Sequence, residues 1–128
     1  MILCSGAFDG LHAGHVRYLQ AARKQREHHS LVVAIAPDSY ILHEKHRAPY
    51  WTQADRALTV WALSCVDEVI LQESDAVAEV IRSHRPAYFI KGADWRDRLP
   101  EEIRAACQES ETEILFVDTP GRHVHETR

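Results

Sequence analysis

Apolar residues fall in five short dense runs, separated by stretches in which they recur at helical spacing. The runs cover residues 1–5, 31–36, 68–71, 87–91 and 114–117. The second is apolar at every position, which predicts a strand covered on both faces, and Pro37 ends it. Between the runs, Val16, Leu19 and Ala22 predict a helix over 14–27, with Arg17, Arg23, Lys24 and Arg26 on its far side. Thr52, with Asp55 three residues later, predicts the start of a second helix whose inner face is Leu58, Trp61, Ala62 and Cys65. Trp51 and Trp61 read as packing residues. Ser74 or Asp75 is placed to cap a helix carrying Val77, Val80, Ile81 and His84. Pro100, followed by Glu101 and Glu102, starts another that runs to about Glu109. Residues 38–50 are polar and aperiodic and read as a loop.

Alternating strands and helices predict an α/β fold, a parallel sheet with helices on both faces, over one domain of residues 1–128. In such sheets ligands sit at the carboxyl ends of the strands, where the strand order reverses. The composition fits a globular chain, with 45% hydrophobic and 27% charged residues. A formal charge of −4 argues against a dedicated nucleic-acid partner but allows a local basic pocket. No apolar run approaches the roughly 20 residues that span a bilayer, and no signal peptide opens the chain. Cys4, Cys65 and Cys107 form no close pair, as expected of reduced thiols. Together these predict a cytoplasmic protein without a membrane partner.

The chemistry concentrates in residues 6–15, GAFDGLHAGH, between the first strand and the first helix. Gly6, Gly10 and Gly14 permit close backbone approach and positive φ. The helix that follows offers unpaired N–H groups and a positive dipole end, which favour a phosphate. His12 and His15, three apart at that terminus, can both turn toward it and donate to phosphate oxygens. Two other readings stay open. The histidines could share a zinc ion, with Asp9 the nearby candidate for a third ligand, or the segment could be a polar turn with incidental histidines.

GAFDGLHAGH, within FDGLHAGHVRYLQAA, resembles the nucleotidyltransferase superfamily that carries the HxGH signature. That group includes cytidylyltransferases for glycerol phosphate and the adenylyltransferase domain of ADP-heptose synthesis. The resemblance rests on Phe8, Asp9, His12, Gly14 and His15 directly after a first strand, and it covers nearly the whole chain. Lys45, Arg47 and Pro49 look like the family's basic substrate loop. Arg56 and CVDEVI look like its second block, and RPAYFIKGADW is similar to the RPD…KGxDY stretch of heptose-type members.

The resemblance implies a Rossmann-like three-layer domain with a five-stranded parallel sheet. It also implies transfer of a nucleoside monophosphate, AMP from ATP, to a sugar phosphate or similar small acceptor, with release of pyrophosphate. His12, His15 and Lys45 would then be catalytic. Gly6, Ala7, Phe8, Asp9, Gly14, Lys91, Gly92, Asp94, Thr119 and Arg122 would hold the nucleotide. Asp9, Lys45, Arg47 and Arg56 would contact the acceptor, and Trp95 would stack or pack. Magnesium would accompany the triphosphate, without an assigned side-chain ligand, and the protein would pair as a homodimer.

Glycerol-phosphate members place an arginine near the position of Asp118; here Arg122 lies four residues on. With Lys91 and the Arg85–Pro86 pair, this tilts the reading from CTP toward ATP. A CTP-dependent transfer to glycerol phosphate or another alcohol phosphate is the alternative. The family's closing serine- and threonine-rich segment is replaced by GRHVHETR, which keeps a non-catalytic nucleotide-binding module as a second class of reading.

Overall fold

In the computed structural model, which describes residues 1–118, five strands alternate with helices. The strands are β1 (Ile2–Gly6), β2 (Leu31–Ile35), β3 (Glu68–Leu71), β4 (Tyr88–Gly92) and β5 (Glu113–Val117). The helices are α1 (Ala13–Gln25), α2 (Asp38–Lys45), α3 (Gln53–Trp61), α4 (Val77–His84) and α5 (Glu101–Glu109), with a 3-10 turn at Ala93–Trp95 after β4. The sheet is wholly parallel, in the order β3-β2-β1-β4-β5. All five residues of β2 are buried, as its unbroken apolar run requires.

Alternation along β1 divides the core. Ile2 and Cys4 face α1 and α3, packing with Leu19, Ala22, Ala57 and Val60. Leu3 faces α4 and α5, packing with Ala78, Ile81, Ala106 and Cys107. The chain therefore winds outward from β1 to β3 under one helical layer, then crosses back to β4 beneath the other. The strand order reverses between β1 and β4.

Pairing differs sharply on the two sides of β1. It matches β2 along its whole length, from Ile2↔Leu31 to Gly6↔Ile35. With β4 it shares only Ile2↔Tyr88 and Leu3↔Phe89. Beyond those positions the strands part. The gap is bridged by side chains: the Tyr18 hydroxyl donates to the Ile90 carbonyl at 2.5 Å, and Lys91 Nζ reaches the Ser5 carbonyl at 3.4 Å.

Three elements differ from the sequence reading. The residue before α4 is Ala76, without a side-chain cap, so neither Ser74 nor Asp75 caps that helix. Residues 38–45 form α2 rather than loop, because a helix that buries only Ile41 has no apolar stripe to display. In α3 the inward face is Arg56, Ala57 and Val60, while Leu58 and Trp61 are 61% and 57% exposed. Trp51 is likewise 57% exposed, so neither tryptophan packs in the core. The phase shift has one cause: an arginine takes an inward position. Thr52 caps α3 as expected, accepting from the Asp55 N–H at 3.3 Å.

Arg56 is 1% exposed. Its guanidinium donates to the carbonyls of Trp51, Ala7 and Ala36, and to Asp38 Oδ1, at 2.6–2.9 Å. It thereby ties the loops after β1 and β2 to the start of α3. Arg56→Ala strands buried carbonyl groups and should cost about 3 kcal/mol in urea unfolding. A loss under about 1 kcal/mol contradicts this strut.

Candidate active site

The site lies where β1 and β4 part. A hollow of about 310 Å3 is walled by Ser5, Gly6, Ala7 and Phe8 from the end of β1 and the turn after it, by His12, Gly14, His15 and Tyr18 at the start of α1, and by Lys91, Gly92, Asp94 and Trp95 from the end of β4 and the turn after it. The turn into α1 needs unusual backbone. Phe8 sits at φ 51° and Gly10 at φ 105°, the second a conformation in which glycine carries no steric cost. Phe8 turns its ring inward, 4% exposed, and meets the His15 ring edge-on at 5.2 Å between centroids.

The amino end of α1 is capped by imidazoles. His12 Nδ1 accepts the Gly14 N–H at 3.0 Å, and the His12 N–H donates to His15 Nδ1 at 3.2 Å. The two rings stack at 3.9 Å with 26° between planes. Because Nδ1 accepts in both, the neutral rings carry their hydrogen on Nε2. The cap thus fixes ring orientation and tautomer together. It also explains Gly14: a Cβ there would stand 2.8 Å from His12 Cε1.

Across the hollow stands Lys91. Burial pushes its ammonium down to about 8, against the raising influence of Cys4 and Asp94. Burial in turn pushes the Cys4 thiol up to about 12 and raises Tyr18, so both are uncharged at neutral pH. The Lys91 ammonium also lies 4.5 Å from the centroid of the Trp95 ring. A buried cation, two oriented imidazoles and a helix amino terminus converge on one space, an arrangement suited to an anion.

Of the residues singled out from the sequence, Gly6, Ala7, Phe8, His12, Gly14, His15, Lys91, Gly92 and Asp94 all line this hollow. The others do not. Asp9 turns away, its side chain 2% exposed. Burial raises its carboxyl, but hydrogen bonds from the Tyr50 N–H, Arg47 and the Trp51 N–H outweigh that and hold it below the usual range. Those donors lie at 2.9, 2.8 and 3.0 Å. Asp9 is therefore the latch that fastens the 47–51 loop, and Arg47 is its counter-ion. Arg56 is buried with its guanidinium on four acceptors, outside this hollow's wall. Lys45 is exposed in the last turn of α2, outside the hollow's wall. Thr119 and Arg122 lie outside the described residues.

Asp9 being so engaged, the zinc reading loses its third ligand. Among the described residues no group of three or more His, Cys, Asp or Glu could hold a metal. Sequence reasoning also passes over Tyr18; its one signal is its place three residues beyond His15, on the same helical face.

A family model described as cytidylyltransferase-like matches residues 3–118, and the chain belongs to the cytidylyltransferase-like family. The bifunctional protein HldE of Helicobacter pylori strain HPAG1 is 36% identical over 116 residues, 90% of this chain and 24% of its own length. HldE of Magnetococcus marinus is 39% identical over 98 residues, 76% of this chain and 20% of its own. The chain thus spans about a quarter or less of these relatives. A solved lipopolysaccharide core biosynthesis protein from Thermoplasma volcanium GSS1 shares the fold, at a TM-score of 0.75 and 24% identity over 95% of this chain and 97% of that one. No helix among the described residues is long and apolar enough to cross a membrane.

Alanine forms helix better than glycine by about 1 kcal/mol, yet at position 14 the sign should reverse. Gly14→Ala is expected to unfold at lower urea and to bind inorganic triphosphate at least about tenfold more weakly by calorimetry. A variant as stable as the parent, with unchanged triphosphate affinity, contradicts the packing of His12 on Gly14.

Proposed function

We propose that this chain is a nucleotidyltransferase that moves AMP from ATP to the phosphate of a sugar phosphate or similar small acceptor, releasing pyrophosphate. One observation carries the reading: the two imidazoles capping α1 face Lys91 across the parted strands, in one hollow. An acceptor phosphate oxygen attacks the α-phosphorus in line while the bond to the bridging oxygen of the β-phosphate breaks. The attacking group is already an anion, so no base is required. The protein positions the chains and stabilises charge on the α-phosphate and the departing pyrophosphate. His12 and His15 do this through Nε2–H, and Lys91 adds a positive charge from the opposite wall.

Magnesium, when bound with the triphosphate, would supply positive charge to the phosphate oxygens. Among the described residues the side chains do not fit a protein-held ion, since no group of three ligands gathers and Asp9 is committed to Arg47 and to two backbone N–H groups. The tilt toward ATP rests on the heptose-type features around Lys91 and on the HldE relatives.

Pyrophosphate release, measured with ATP and with CTP against a panel of sugar and polyol phosphates, tests the reading. The expected result is turnover with ATP and a sugar phosphate. Turnover confined to CTP with glycerol phosphate replaces it with the cytidylyl reading. Nucleotide binding without release for any acceptor replaces it with a binding module. His15→Ala should lower kcat by about 10²–10³ with the fold intact by circular dichroism.

The pH dependence follows from Lys91. It is charged below about 8, and an adjacent triphosphate raises its pKa, so binding takes up a proton above that pH. Affinity for a non-hydrolysable ATP analogue should therefore fall as pH rises through about 8, and Lys91→Arg should flatten that limb. The same fall in Lys91→Arg contradicts the assignment.

A further inference from the structure

The pairing of β1 with β2 shows how the ladder runs. The Ile2 N–H donates to Ser30, the residue before its partner Leu31, and the Gly6 carbonyl accepts from Ala36, the residue after its partner Ile35. Carried on from Leu3↔Phe89, the β1–β4 register sets Ser5 beside Lys91. The next two rungs would then join the Ser5 N–H to the Ile90 carbonyl and the Gly92 N–H to the Ser5 carbonyl. Pairing stops before either forms.

Side chains take both places. The Tyr18 hydroxyl donates to the Ile90 carbonyl at 2.5 Å, and the Ser5 backbone and the Cys4 side chain hydrogen-bond to that same hydroxyl. A Ser5 bond that stabilises the phenolate comes from its N–H, since only a donor does so. The Lys91 ammonium lies 3.4 Å from the Ser5 carbonyl. One rung thus has a phenol inserted in it, and the next has an ammonium.

We propose that Tyr18 is a positioning residue of this site: its hydroxyl, inserted between the Ser5 N–H and the Ile90 carbonyl, keeps β1 and β4 apart and so sets Lys91 against the phosphate chain. The proposal rests on the nucleotidyl-transfer reading above and adds a residue that acts through another. A direct rung holds N and O at about 2.9 Å, whereas two hydrogen bonds in series spread them to roughly 4–5 Å. Both backbone groups stay satisfied, so the separation costs little. A phenol suits the task because its one oxygen donates and accepts, on a stiff ring. Its single hydrogen goes to Ile90, which leaves none for a phosphate. Tyr18 also follows His15 by three residues on α1, on the same helical face. One helix therefore sets both the imidazoles and the distance to the ammonium facing them.

Tyr18→Phe keeps the ring and removes the spacer. NMR coupling across a hydrogen bond, from the Ser5 nitrogen to the Ile90 carbonyl carbon, should be absent in the parent and present in the variant. Inorganic triphosphate should bind the variant at least about tenfold more weakly by calorimetry. The alkaline fall in its affinity, near pH 8 in the parent, should move up by at least about one unit, because a Lys91 released from burial regains an ordinary lysine pKa. The groups whose charge bears on Lys91 are Cys4, Asp94 and Arg98. His12 and His15 share its hollow, and Glu44, Asp75 and Glu102 line the larger one it also borders. The substitution alters none of these, so movement of the limb reports the place of the ammonium. A merely structural loss lowers the urea midpoint and leaves the limb where it was. In a Lys91→Met background, Tyr18→Phe should cost less than about twofold in triphosphate affinity.

A Ser5–Ile90 coupling already present in the parent overturns the proposal, and that measurement stands whether or not the variant folds. Parent-like triphosphate affinity in Tyr18→Phe, an unmoved limb, or the full loss persisting without Lys91 overturns it as well. Pyrophosphate assays separate the two failures. No release with any acceptor, beside the expected coupling and affinities, sinks the transfer reading alone. Equal release and equal affinity in parent and variant sink the spacer alone.

Discussion

The amino end of α1 is closed by ring nitrogens where most helices use a hydroxyl or carboxylate. His12 takes the Gly14 N–H, and its own N–H goes to His15. Cap and chemistry are therefore one interaction. Each imidazole gives up Nδ1 to the backbone and is left with its hydrogen on Nε2, the form that donates to an anion. The stacked pair is also placed by what surrounds it, with Phe8 against the edge of His15 and Gly14 beneath His12. A hydroxyl cap would serve the helix equally well but would bring no second donor to the site.

That cap acquires meaning from the sheet beside it. Were β1 and β4 paired along their full length, as β1 and β2 are, Lys91 and Gly92 would lie against Ser5 and Gly6 and no hollow would form. The strands part after Leu3 and Phe89 instead. Tyr18 satisfies the Ile90 carbonyl that the missing ladder leaves behind, and Lys91 approaches that of Ser5. The opening thus costs little in unsatisfied backbone. Ser5, Gly6, Lys91 and Trp95 thereby line two hollows, of about 310 and 370 Å3.

The strands were legible because each is a short apolar run, and the walls of the site because glycine and histidine spacing marks a turn into a helix. Lys91, Gly92 and Asp94 were legible as polar residues at a strand's carboxyl end. What sequence reasoning missed has physical causes. In α2 only Ile41 is buried, so no periodicity marks it, yet it supplies Tyr40 and Glu44 to the hollow of about 370 Å3. In α3 a buried arginine stands where an apolar residue is expected, and the helix appears rotated as a result. The functional weight placed on Lys45, Arg47 and Arg56 came from resemblance alone. In the structure Asp9 holds Arg47, and four acceptors hold Arg56.

The measurement that bears most directly on this account is a crystal structure with a non-hydrolysable ATP analogue bound. It should show the α-phosphate within hydrogen-bonding distance of Nε2 of His12 or His15, with Lys91 on the opposite side of the phosphate chain. Phosphates lodged instead on the 45–51 loop, with the two rings still stacked and untouched, would contradict it.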